Sequence, residues 1–245
     1  MSAVFPTAIN LELLEYKPPQ NNKSGQKNVY ISTVPGSTNP QNRLRFQMSE
    51  TAETDEVHLQ TAVWGLSTPL PNQDASRRTL VLTIESPALL DFLNRLDAQN
   101  LQKAYDNAQK WFGMKKPPSR DEIKQYYHPI VMQPARDGDK PTVRVKVKVA
   151  AAHPTQIFKV SGHKTYVPGT PADLVRNSKC CVVADTVGLW FMPCQFGMCL
   201  VATEILVWSN QPNVGMSAFT FASGSNWQAE AACDAAEEEM FGLGV

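Results

Sequence analysis

The 245 residues hold no Gly-rich phosphate loop, no G-x-S-x-G elbow, no H-E-x-x-H helix and no paired His–Cys signature. Phosphoryl transfer, serine-hydrolase and zinc-peptidase chemistry each need one of these arrangements at a fixed spacing. The four histidines (His58, His128, His153, His163) are scattered, none at a catalytic spacing. A protein that is not an enzyme and needs no cofactor is expected.

Zinc knuckles are missing as well. Cys180, Cys181, Cys194 and Cys199 lie close together, but their spacings are adjacent, then twelve intervening residues, then four. Zinc ribbons use C-x2-C, and adjacent cysteines on a strand face opposite ways. Small buried hydrophobes fit them better than metal ligands. The total of five is odd, and "MSAVFPTAINLELLEY" lacks the basic start and apolar run of a signal peptide. Free thiols in an intracellular compartment, cytoplasm or nucleus, are expected. The longest charge-free apolar stretch is "TVGLWFMPCQFGMCLVAT", and Pro193, Gln195 and two glycines interrupt it. Two buried strands joined by a turn fit it better than a membrane span.

Net charge is zero, with 23 basic and 23 acidic residues, but the charges are unevenly placed. Residues 229–245 carry Glu230, Asp234, Glu237, Glu238 and Glu239 and no Lys or Arg. Without those five acids the body holds 23 basic against 18 acidic residues, or +5. A mildly basic body joined to an acidic tail is the more informative description. The tail has little apolar surface and its glutamates repel one another, so it is expected to be flexible.

Strand-like segments fill the first third: "AINLELLEY", "NVYISTV", "RLRFQM", "EVHLQTAVWGL" and "RTLVLTIE". Loops rich in Pro, Asn and Gly separate them. The period then changes. Ser86 caps and Pro87 opens a helix whose apolar residues recur from Leu89 to Ala108, running to about Lys110 with room for a break near Gln99–Asn100. A second helix starts at Ser119, with Glu122 placed for a capping box, and stops before His128–Pro129. Strands return in "TVRVKVKVA", "QIFKV", "CCVVADTV", "LWFM" and "CLVATEILVW". The expected fold is mainly β with a helical insertion (α+β) at about 86–128. An OB-like Greek-key β-barrel with extra strands satisfies that order, with a β-sandwich or jelly roll as the alternative. Residues 1–228 would form one domain and 229–245 the acidic tail.

The stretch "TVRVKVKVAA" alternates Val143, Val145, Val147 and Val149 with Arg144, Lys146 and Lys148. As a strand it has one apolar and one cationic face. Arg43 and Arg45 alternate with Leu44 and Phe46 in the same way. Lys115, Lys116, Lys159 and Lys164 are further cations, and Phe158 and Tyr166 sit beside the last two. Positive charge interleaved with aromatic rings is what a single nucleic-acid strand requires. A merely solvated sheet face is the plain alternative. Trp64, Phe92 and Trp190 read as core residues.

Three segments carry a resemblance: "KWFGMKKPPSRDEIKQYYHPIV", "DKPTVRVKVKV" and "VGLWFMPCQFGMCLVATEILV". Their order resembles the single-stranded DNA-binding proteins of T-odd bacteriophages, in the branch found in nucleocytoplasmic large DNA viruses and some protists. The match covers about residues 86–208. The resemblance implies an OB-fold core that binds single-stranded DNA without sequence preference in replication and recombination. It implies that Arg144, Lys146 and Lys148 line the DNA path, and that Glu237, Glu238, Glu239 and Phe241 form a tail that contacts replication proteins. The phage tail ends on its aromatic residue, whereas "GLGV" follows Phe241 here. A homo-oligomer is compatible with this reading, and no membrane partner is expected. The alternatives are a structural or assembly protein of a large virus particle and an RNA-binding module.

Overall fold

The computed structural model describes residues 3–22, 25–37, 39, 42–49, 59–68, 75–113, 115–162 and 165–208. The acidic tail and Lys164 lie outside them. Short strands come first: β1 (Glu15–Tyr16), β2 (Gln20–Asn21), β3 (Lys27–Val29), β4 (Ile31–Ser32) and β5 (Arg45–Gln47). Then come β6 (Gln60–Leu66) and β7 (Arg77–Thr83), and the helices α1 (Pro87–Asp106), α2 (Ala108–Phe112) and α3 (Arg120–Tyr126). They are followed by β8 (Tyr127–His128), β9 (Val131–Met132), β10 (Thr142–Lys148), β11 (Gln156–Gly162) and β12 (Thr165–Pro168). Two long strands, β13 (Lys179–Met192) and β14 (Gln195–Trp208), complete the described chain.

Five strands close a ring: β6 pairs β7, β7 pairs β10, β10 pairs β14, β14 pairs β13, and β13 returns to β6. Only the β10–β14 contact is parallel. A three-strand meander, one parallel pair and a closing hairpin make the Greek-key barrel of the OB fold. A sandwich would leave two open sheets. The helical insertion lies between the second and third barrel strands.

The barrel interior follows from alternation. Val143, Val145 and Val147 are fully buried, as are Leu80, Leu82, Val182, Ala184, Ile205 and Val207. Burial of each large aliphatic side chain contributes ~1.5–3 kcal/mol. Helix α1 adds Leu89, Phe92, Leu93 and Leu96 to that core, and Phe92 meets Phe46 edge-on at 5.0 Å. Ser86 caps α1 by accepting from the Leu89 amide, and Ser119 and Glu122 form the expected capping box on α3. Buried Asp97 on α1 accepts from Tyr127 Oη and from the Ile130 and Val131 amides, which fixes β8 and β9 beside the barrel. A second cluster under the β13–β14 hairpin joins Trp111, Ile123, Tyr127, Phe191 and Phe196.

Several expectations change. "AINLELLEY" is strand only at Glu15–Tyr16: Ala8 ends a 3-10 turn begun at Pro6, and Leu11–Leu13 form a second, which the Asn10 side chain caps by accepting from the Glu12 amide. The helix breaks at Asn107, not near Gln99–Asn100. Asn100 is satisfied inside the fold by Tyr16 and Tyr127, whereas Asn107 bonds the Lys103 carbonyl and leaves helical geometry. "CCVVADTV" and "LWFM" are one strand, bridged at Gly188, whose φ of +125° carries the irregularity. Trp64 is not core: it is 45% exposed and carries the Arg176 guanidinium 5.1 Å from its ring. Gly65, at φ +80°, kinks β6 there against the Leu174 carbonyl. Cys180, Cys181 and Cys194 are free, but Cys199 is disulfide-bonded, against the expectation of free thiols. It faces outward on β14, away from Cys180 in the barrel interior. No helix among the described residues is long and apolar enough to cross a membrane.

Candidate nucleic-acid interface

The two faces of β10 meet different fates. Its valines enter the barrel. Arg144, Lys146 and Lys148 stand on the outside, across from Val81, Thr79 and Arg77 of β7. Arg144 is exposed, but Lys146 and Lys148 are only 9% and 5% exposed. A strand face kept wet for solubility would leave its lysines open. Burying a cation is costly, so these two lysines are held in place at an energetic cost that a wet face would not carry.

The cationic row runs along one edge of β14. Three pieces of chain pair with that edge, all parallel to it: His128 of β8 at Gly197, Lys146 of β10 at Val201, and Phe158 of β11 at Leu206. Gly197 to Leu206 spans roughly 30 Å at strand rise. The join between β10 and β11 is held by Thr155, which accepts from the Lys148 amide at 3.0 Å and donates to the Ala202 carbonyl at 2.7 Å. Ile157 enters the barrel core, so Phe158 faces out in line with the β10 cations.

At the middle of the row the cations crowd around one carboxylate. Asp185 of β13 is fully buried on this outer face. Arg45 grips it with two bonds, Nε to Oδ1 at 2.6 Å and Nη2 to Oδ2 at 2.9 Å. Arg43 reaches it through Nε at 3.0 Å. Lys148 shares the field of Arg77, Arg43 and Asp185. Burial, reinforced by the Arg77 and Arg43 charges, pulls Lys148 down to about 7 against the pull of Asp185. Burial also lowers Arg43, whereas the Asp185 bonds raise Arg45. An anion brought to this point would restore the charge on Lys148.

At the other end the row turns aromatic. The His128 ring stacks on Trp190 at 5.6 Å and 29°. Trp190 packs with Val187, Cys199 and Val201, with Tyr30 and Met192 at the margin. This patch lies outside the barrel, on the same face as Arg144. Burial holds His128 below the usual histidine range; a bond with Gln195 opposes the shift and the Arg144 charge adds to it.

The structure thus gathers Arg144, Lys146, Lys148, Arg43, Arg45 and Phe158 onto one face. Tyr166 of β12 is 56% exposed; it pairs with Val160 as Phe158 pairs with Pro168, which puts both rings on that side. Lys159 points the other way and is ion-paired to Asp173 at 3.0 Å. Lys115 and Lys116 stand exposed on the α2–α3 loop, on the insertion and not on the sheet. Sequence reasoning missed Arg77, Asp185, His128 and Trp190. A lone acid inside "VVADTV" was the one available signal, since a charge in an apolar strand needs a partner. The others depend on strand register.

A family model matches residues 70–214. The chain belongs to DUF5871, a family of unknown function. No curated protein matches the sequence. Among solved structures the chain is similar to gp2.5, a single-stranded DNA-binding protein encoded by bacteriophage T7, at 15% identity and a TM-score of 0.44, over 71% of this chain and 91% of that one. It is also similar to the single-stranded DNA-binding protein of bacteriophage Enc34 in complex with single-stranded DNA, at 9% identity and a TM-score of 0.40, over 82% of this chain and 96% of that one. This member of DUF5871 shares the matched region with its family from the β6–β7 loop past the end of β14.

Proposed function

We propose that this protein binds single-stranded DNA without sequence preference. One observation carries the reading: an OB barrel with a row of cations on the outer face of its third strand, β10, joined by Arg77 of the second strand and continued by outward aromatic rings. That face is where OB folds take oligonucleotides. A positive track for the backbone with π-faces beside it is sequence-tolerant, because every base has a face to stack. The motif resemblance supports a role in replication and recombination of viral type. Glu237, Glu238, Glu239 and Phe241 would then recruit replication proteins.

The test is fluorescence anisotropy with a labelled oligo-dT strand and a duplex of equal length, at several salt concentrations. Preference for the single strand with strong salt dependence is the expected result. Lys146→Ala with Lys148→Ala should weaken binding and lower the salt slope by about 1.4, if each lysine meets one phosphate. An unchanged slope removes β10 from the interface. No binding at low salt, together with large assemblies by light scattering, would favour a structural protein of a virus particle.

A further inference from the structure

We propose that the Trp190–His128 stack is a docking step for one nucleobase, with Arg144 beside it holding a neighbouring phosphate. This deepens the single-strand reading and rests on it.

The stack has the features of a built site. An imidazole on an indole makes a two-ring step on the outer sheet face. β14 makes room for it with glycine: a Cβ at Gly197 would lie 2.9 Å from Trp190 Cζ2 and 3.0 Å from the His128 carbonyl oxygen. Neither backbone nor a packed indole yields easily, so only glycine admits both rings. Trp190 is 3% exposed and locked by Val187, Cys199 and Val201. His128, half-buried, is the upper ring of the pair. Its imidazole is favoured in the neutral form, which suits stacking on a base better than a cation that must keep its water.

The choice of occupant follows from position. The step lies in line with Arg144, Lys146 and Lys148 along β14, so a strand whose phosphates follow the cations passes its bases over these rings. Tyr30 and Met192 at the margin give the patch an apolar rim for a planar group. A duplex keeps its bases stacked on one another and cannot use such a step.

The test uses the full chain with two strands of equal length and charge, oligo-dT and an abasic strand. His128→Ala should weaken oligo-dT binding about five- to tenfold, in the range for loss of one base stack, and leave the abasic strand unchanged. His128→Phe should restore oligo-dT binding. Equal losses on both strands would mean that His128 acts on the backbone or the fold, and would overturn the proposal. Loss on oligo-dT that Phe does not restore would replace stacking by hydrogen bonding and also overturn it. So would oligo-dT binding indistinguishable from that of the unaltered protein. If the unaltered protein binds neither strand, the single-strand reading itself fails. If it binds both and His128→Ala changes nothing, only the docking step fails.

Discussion

The middle and the aromatic end of the β14 row solve opposite problems. The middle packs Arg43, Arg45 and Lys148 around one buried carboxylate, with Arg77 in the same field. Its order is electrostatic: the Asp185 carboxylate holds cations that repel one another. The aromatic end packs two rings over a glycine, and its order is steric. The electrostatic site should therefore respond to charge, pH and salt, and the steric site to volume. A single nucleic-acid strand needs both, one for its phosphates and one for its bases.

The largest effect should come from Asp185. Asp185→Ala leaves Arg43 and Arg45 without the carboxylate that they bind, and removing one partner of a buried pair costs about 3–5 kcal/mol. Urea unfolding checks this; a loss under 1 kcal/mol would make the cluster a surface pair. Gly197→Ala should break the aromatic end by overpacking, at about 1–3 kcal/mol, without altering the pH dependence of the other site. The most gradual effect, smallest per pH unit, concerns Lys148. Its folded value of about 7 lies below the unfolded 10.5, so the native state binds fewer protons between these limits. Stability should therefore rise with pH across that window, by at most about 1.4 kcal/mol per pH unit, and Lys148→Met should flatten the slope. Single-strand affinity should run the other way, weakening as pH rises through 7, because a phosphate favours the charged lysine. A pH series of unfolding and anisotropy separates the two trends.

Much of the barrel was legible in the chain. Alternation in "TVRVKVKVA" placed three valines inside and three cations outside, because a strand has only two faces. "RLRFQM" obeyed the same rule. Ser86, Pro87, Ser119 and Glu122 marked helix ends, because caps depend on adjacent residues alone. The helix break was less legible. Asn100 and Asn107 look alike in sequence, and only their distant partners distinguish them. Trp64 was misread for a related reason: a glycine kink decides which way its neighbour points.

The interface divides in the same way. Residue type and period by themselves determined that β10 carries a cationic face and that a mainly β fold holds a helical insertion. Both are local properties of a pleated or helical backbone. Tertiary structure alone decided that Arg43, Arg45 and Lys148 meet at Asp185, that His128 rests on Trp190, and that Lys159 turns away to Asp173. These contacts join residues up to 142 positions apart in number, such as Arg43 and Asp185. Their meeting depends on strand register: β5 runs antiparallel to β13 with Arg45 opposite Asp185, and β8 and β10 run parallel along one edge of β14. Register is fixed by how the whole barrel closes, and no short stretch of sequence contains that information.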